Sequence, residues 1–306
     1  MLRRLVDMEM VVFDLDGVLV DINSSWQTIH EAFGVDNEEN FQKHLRGQID
    51  FKEFMRSDIR LWGSTHISRI KDILDKVHLM KGAVETLTTL KKAGYKTAIV
   101  SSGISILADH VKNVLGIDYS FANKLLTDEC GRLTGEGEEV VGLLNKDRVL
   151  KDLVLREGTT VKQCVVVGDS IFDIPLFKGA GLGIAFNAKD DAVKEAADLV
   201  INEKDLRRIL PWLINERRTT MAEIIFNYDD ENEANTIVKA ISPDNVKVPY
   251  GLIIKTLRKE NNTITRIVCI KGFETLLATL DDLLSCVQVA EKVVKVTESL
   301  SRRENF

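Results

Sequence analysis

Two apolar runs end in acids. Met10–Phe13 leads into Asp14-Leu15-Asp16-Gly17, and Cys164–Val167 leads into Gly168-Asp169, with Asp173 four residues further on. Side chains alternate faces along an extended strand, so Asp14 and Asp16 leave their strand toward the same side. Two carboxylates that close repel each other, and a buried pair shifts its pKa or takes up a cation. In an open parallel sheet the carboxyl ends of the strands share one crevice, so Asp14, Asp16, Asp169 and Asp173 can converge there. An oxygen-only donor set of this kind suits Mg²⁺, which binds few protein carboxylates and keeps several waters. Between the acids lie two elements fit for a phosphoryl group. Ser101-Ser102-Gly103 stands between an apolar strand and a helix, where a hydroxyl, backbone N–H groups and a helix N-terminus could meet an anion. Lys146, near the start of another helix, could bring a point charge to a phosphoryl oxygen. Singly, these residues read equally well as a turn, a helix cap and a solvated lysine. Jointly, in this order and each at a strand–helix junction, they point to phosphoryl chemistry.

The elements that must hold them follow from periodicity. Strands Met10–Phe13, Lys96–Val100, Cys164–Gly168 and Gly183–Phe186 alternate with helices, the pattern of a parallel sheet covered on both faces. Ser101-Ser102-Gly103 is expected as a turn, Tyr119–Leu126 as extended chain and Cys130–Gly135 as a small hairpin. From Ser24 to about Met80 the apolar spacing is helical, through Trp26, Ile29 and Phe33, then Phe51, Met55, Ile59 and Trp62, then Ile70, Leu74 and Val77. Trp26 and Trp62 are expected to pack within this block. Beyond Asn215 the order becomes strand, helix, strand, strand, helix, with a turn at Ser242-Pro243-Asp244 and an amphipathic tail from Phe273 to about Leu300. The expected fold is α/β, a Rossmann-like three-layer parallel sheet with an inserted helical cap, followed by a small α+β (βαββα) domain. The expected boundaries are 1–21 with 81–214 for the core, 22–80 for the cap and 215–306 for the last domain.

Composition narrows the class. The chain has 306 residues, 44% hydrophobic and 29% charged, which excludes disordered and collagenous types. Its 41 basic against 47 acidic residues, net −6, give no footprint for direct nucleic-acid binding. No apolar stretch reaches the ~18 residues of a membrane span, and Asp7 and Glu9 interrupt any leader after Met1-Leu2-Arg3-Arg4, so no membrane and a cytoplasmic location are expected. Cys130, Cys164, Cys269 and Cys286 have no short spacing and are expected as reduced thiols.

The chain from about 10 to 214 resembles the haloacid dehalogenase superfamily, in its phosphoserine-phosphatase-like group. The resemblance is carried by Asp14-Leu15-Asp16-Gly17, Ser101, Lys146, and Gly168-Asp169 with Asp173. It implies an aspartyl-phosphate on Asp14, with Asp16 as general acid and then base. Ser101, Ser102, Gly103 and Lys146 would hold the phosphoryl group. Mg²⁺ would be bound by Asp14, Asp169 and the backbone carbonyl of Asp16, with Asp173 supporting it. Asp16 argues against the superfamily's dehalogenases, which lack such a second acid and need no metal. A phosphotransferase or mutase on the same core is a further alternative. The helical block falls where this superfamily inserts a lid, which favours a small phosphorylated metabolite. Phosphoserine phosphatases place a glutamate nine residues after the nucleophile to read the substrate amine, and Asn23 stands there instead. Ser102 and Phe172 also depart from the group's pattern. Phe51 and Arg56 match the lid segment that supplies an aromatic and a carboxylate-binding arginine.

The segment 219–298 resembles the small dimerising subunit of the KEOPS tRNA threonylcarbamoyl complex. It does so through Ala240–Asn245, Val248–Leu252 and Leu276–Leu284. That implies a homodimer through this domain or, alternatively, an accessory role beside a KEOPS-type catalytic subunit, with the phosphatase half as passenger or regulator. Residues 215–306 hold 13 basic and 14 acidic residues, so this domain is no basic tRNA clamp.

Overall fold

A computed structural model of the protein describes residues 8–214, 220–242, 248, 251–269 and 273–303. The chain forms two compact units, Met1–Leu210 and Pro211–Phe306. The division falls just ahead of the expected boundary, because the short helix Leu210–Ile214 begins at its edge.

The first unit is built on a seven-stranded sheet in the order β4-β3-β2-β1-β5-β6-β7. Its strands are β1 Met10–Phe13, β2 Lys96–Ile104, β3 Tyr119–Thr127, β4 Leu133–Glu138, β5 Cys164–Gly168, β6 Leu182–Phe186 and β7 Leu199–Ile201. All pair in parallel except β4, which runs antiparallel to β3. Every residue of β1, β5 and β6 is buried, which explains why their sequences are continuous apolar runs. One face packs Met10, Val12, Val100, Val166, Leu150 and Leu153 into a core layer. The chain builds outward from β1 through β2 and β3, then returns to the other side of β1 with β5. Asp14 and Asp169 therefore stand where the strand order reverses, the place at which such sheets bind ligands. The Asp14 N–H donates to the Val167 carbonyl at 2.9 Å and ties the two strand ends together.

Four helices form the cap: α1 Ser25–Phe33, α2 Glu38–Leu45, α3 Phe51–Leu61 and α4 Ile67–Leu74. Ser24 caps α1 by accepting from the Gln27 N–H, and Asp50 caps α3 by accepting from the Glu53 N–H. Trp26 and Trp62 stack inside the cap with centroids 5.5 Å apart. The cap is fastened to the β3–β4 hairpin, with the Ile67 N–H donating to Gly131 and the Leu133 N–H to Thr65.

Ser101-Ser102-Gly103 is not a turn. Strand β2 continues through all three residues to Ile104, and α5 Ala83–Lys92 and α6 Ser105–Leu115 flank it in the chain. A side chain from the neighbouring strand imposes this course. Buried Asn123 donates to the Ser102 and Val141 carbonyls, both at 2.9 Å, and so holds the serines extended. Helices α7 Lys146–Arg156, α8 Ile174–Gly179 and α9 Asp191–Ala196 follow, and α10 is Leu210–Ile214.

The second unit has β8 Thr220–Asn227, α11 Glu231–Ile241, β9 Leu252–Lys259, β10 Asn262–Cys269 and α12 Phe273–Arg303. Its sheet is antiparallel in the order β8-β10-β9. Ile237, Ile241, Leu276, Leu283 and Val287 of the helices pack with Leu252, Ile267 and Cys269 of the sheet. The expected turn at Pro243-Asp244, the Asn215–Arg218 boundary and Pro249-Tyr250 lie outside the described residues, as do Met1–Arg4. Among the described residues no helix is long and apolar enough to cross a membrane, and the four cysteines are free.

Candidate active site

The loop after β1, the end of β2, the start of α7 and the loop after β5 bring the chemistry-bearing residues together. Lys146 is 2% exposed and donates to Asp14 Oδ2 at 2.7 Å and to Asp173 Oδ1 at 2.8 Å. Carboxylate oxygens of Asp14, Asp169 and Asp173 lie within 4.8 Å of one another. Asp173 Oδ2 accepts from the Asp169 N–H, the Ser170 N–H and the Ser170 hydroxyl, which fixes the loop after β5. Asp16 Oδ2 accepts from Ser25 N–H at 2.7 Å and Ser25 Oγ at 2.8 Å, while its Oδ1 is buried with no partner. Gly17 permits the approach of the two loops. Its φ is +79°, and a Cβ there would stand 2.2 Å from Asp169 Oδ2.

The electrostatics follow from burial. Desolvation pushes Asp14 up to about 6 even though Lys146 pulls it down, with Asp173 and Asp16 adding repulsion. Asp169 is pushed up to about 8, first by burial and then by the charges of Asp14 and Asp173. Asp16 is also raised by burial, against the two Ser25 hydrogen bonds. Burial opposes the charge on Lys146, but Asp14 and Asp173 outweigh it and raise its pKa. Four carboxyl groups beside one ammonium, with Asp14, Asp16 and Asp169 raised by burial, are an all-oxygen donor set that fits a divalent hard cation.

Above the acids lies a cavity of about 500 Å³, with Asp14, Asp16, Ser101, Lys146 and Asp169 at its floor and the cap above. Ser101 Oγ accepts from the Gly103 N–H at 3.1 Å. Of the other residues singled out by sequence, Asn23 lines the cavity and its Oδ1 accepts from Lys189 Nζ at 3.1 Å. Phe51 lines the cavity and is buried. Two further residues singled out by sequence have partners of their own. Arg56 does not line the cavity, because its guanidinium is held by Glu53 at 2.6 Å and by Glu136 of β4 at 2.8 Å, which makes it a fastening of cap to core. Ser102 lines the cavity, and its hydroxyl donates to the Gly142 carbonyl at 3.2 Å.

Sequence reasoning missed three contributors. Ser25 holds Asp16, Asn123 holds the serine strand, and a buried set around His30 and Asp58 lines the cap side of the cavity. Ser25 follows the acidic loop closely and could have been found as a helix-start serine. Asn123 and Asp58 carry no local signal.

Known proteins resemble this chain in sequence and in fold. A haloacid dehalogenase-like hydrolase family model matches residues 8–181. A phosphoserine phosphatase of Methanocaldococcus jannaschii is 36% identical over 208 residues, 67% of this chain and 97% of that protein. One from Archaeoglobus fulgidus is 36% identical over 200 residues, 64% of this chain and 57% of that protein. A solved structure described as a phospho-aspartyl intermediate analogue of phosphoserine phosphatase superposes with a TM-score of 0.59 at 35% identity. It covers 67% of this chain and 99% of that one.

Proposed function

Since the chain belongs to the haloacid dehalogenase-like hydrolases and is a phosphatase of that family, we propose that it is a Mg²⁺-dependent phosphomonoesterase. Its substrate is a small, phosphoserine-like metabolite, and its intermediate is an aspartyl-phosphate on Asp14. The observation that carries this reading is the bridge of Lys146 between Asp14 and Asp173, with the oxygens of Asp169 beside them. Asp14, Asp169 and the Asp16 carbonyl would hold Mg²⁺, with Asp173 behind them; the ion would neutralise charge on the phosphoryl oxygens.

The chain's own residues carry the proton and bond changes. A carboxylate oxygen of Asp14 attacks phosphorus while the ester P–O bond breaks, and the leaving alkoxide takes the proton of Asp16. Ser25 fixes one oxygen of Asp16, and burial favours the protonated acid. In the second half Asp16 removes a proton from water, the water oxygen bonds to phosphorus, and Asp14 leaves as carboxylate with release of inorganic phosphate. Lys146 and Ser101 hold the transferring oxygens throughout, and the cap limits water. The test is turnover of small phosphomonoesters with and without Mg²⁺ by wild type and Asp14→Asn. Wild type should turn over only with Mg²⁺, and the variant should lose about 10³-fold or more. Equal turnover by both proteins removes Asp14 as nucleophile.

We infer in addition that the C-terminal domain is an association module that makes the protein a homodimer. Its sheet has β8 and β9 as outer strands, and Phe273, Leu277 and Leu284 are exposed apolar residues on one side of α12. The resemblance to the KEOPS small subunit supports the same reading, and a KEOPS-type catalytic subunit is the alternative partner.

A further inference from the structure

Asp58 is 2% exposed, yet it lines the cavity. Its Oδ1 takes hydrogen bonds from His30 Nε2 at 2.8 Å and Asn37 Nδ2 at 2.7 Å, while its Oδ2 makes none among the described residues. The indole of Trp62, which can only donate, gives its N–H to His30 Nδ1 at 3.0 Å. The ring proton therefore sits on Nε2 and points at Asp58 Oδ1, so His30 fixes one oxygen of the carboxylate. Asp58 is thus a buried acid in the cavity lining, with one oxygen held by cap residues and the other unused among the described residues.

The rest of the cap wall has the same sign. Glu31, Asp36 and Glu38 also line the cavity, and among the described lining residues Lys146, already engaged by Asp14 and Asp173, is the one lysine or arginine. Arg56, the expected receiver of a substrate carboxylate, is held by Glu53 and Glu136 outside the cavity. Trp26, Phe41, Phe51 and Phe54 supply the apolar and aromatic lining, a surface that favours cations over anions. An acidic wall with an unused buried carboxylate favours a positive charge and rejects a second negative one.

We propose that the alcohol half of the substrate carries a cationic nitrogen received by Asp58, and that no carboxylate on the substrate is read. The substrate class is then the phosphorylated amino alcohols. This rests on the phosphatase reading above and adds the identity of the group that the cap recognises. Asn23, in the place of an amine-reading glutamate, is consistent with the reader having moved from the loop after β1 to α3.

The experiment uses the full chain with Mg²⁺ and four esters: phosphoethanolamine (amine only), O-phosphoserine (amine and carboxylate), glycerol phosphate (neither) and phosphoglycolate (carboxylate only). In wild type kcat/KM for phosphoethanolamine should exceed that for glycerol phosphate about tenfold or more and at least equal that for O-phosphoserine, with phosphoglycolate slowest. Asp58→Asn keeps the shape and can still accept from His30 and Asn37, but it removes the charge. It should lower the phosphoethanolamine-to-glycerol phosphate ratio about tenfold, through KM. Asp58→Ser is read by the same ratio should the first variant be unstable. A wild type that prefers O-phosphoserine or phosphoglycolate tenfold over phosphoethanolamine, or a ratio indifferent to both substitutions, overturns the proposal and leaves the phosphatase reading standing. A chain that hydrolyses none of the four overturns both.

Discussion

Asp14, Asp16, Asp169 and Asp173 surround one ammonium, Lys146, and the raised values of Asp14 and Asp169 have a consequence for stability that can be signed. Without metal, Asp14 sits at about 6 and Asp169 at about 8, in each case first because of burial. An unfolded chain releases these protons near pH 4, so between about pH 4 and about pH 8 the folded state holds protons that the unfolded state does not. Stability in a chelator should therefore fall as pH rises through that window. Asp169→Asn, with no proton to lose, should flatten the fall, and the stabilisation given by added Mg²⁺ should grow with pH over the same range. Melting temperatures from pH 5 to 8.5, with EDTA and with Mg²⁺, check all three. A wild-type profile in EDTA that rises toward pH 8 contradicts the assignment. At this scale the four acids and Lys146 could be picked out because each sits at a strand end or helix start. His30 and Asp58 were not, because they meet across two cap helices from positions 28 apart in the chain.

Elements decide how the cap stands over the acids. Helix α3 lies against β4, where Met55 and Ile59 meet Gly137 and the Arg56–Glu136 pair closes the edge. A Cβ at Gly137 would stand 2.9 Å from Ile59 Cδ1 and 3.0 Å from the Lys124 carbonyl. Gly137→Val should therefore pry α3 from the hairpin and cost about 1–3 kcal/mol, read by urea denaturation, with KM rising more than kcat falls. A variant as stable as wild type with unchanged KM removes this contact as a positioning device. Helices α1, α3 and α4 of the cap were legible from their apolar spacing. The course of Ser101-Ser102-Gly103 was not, since Asn123 of another strand turns an expected loop into strand.

At the scale of the whole molecule, the phosphatase half and the small α+β domain are separate compact units, so loss of the second should spare the chemistry of the first. Truncation after Ile214 should yield a monomer by light scattering with turnover retained, and the full chain should run as a dimer. A truncated protein that remains dimeric places the association surface in the phosphatase half. The exposed Phe273, Leu277 and Leu284 give a second handle, because replacing them by polar residues should have the same effect within the full chain.

By itself the sequence determined the α/β class, the helical insertion, the βαββα tail and which acids stand at the strand ends. Each of these is written in local periodicity or at the end of a local element. Only the tertiary structure decided what the cap presents to the substrate. Arg56 is drawn away by Glu136, eighty residues along the chain. Asp58 is brought in and oriented by His30, Asn37 and Trp62, a set assembled from α1, α3 and the loop residues beside them. Whether a charged side chain faces a ligand or a neighbouring element depends on which opposite charge reaches it first, and that is fixed by packing between elements rather than by spacing within one.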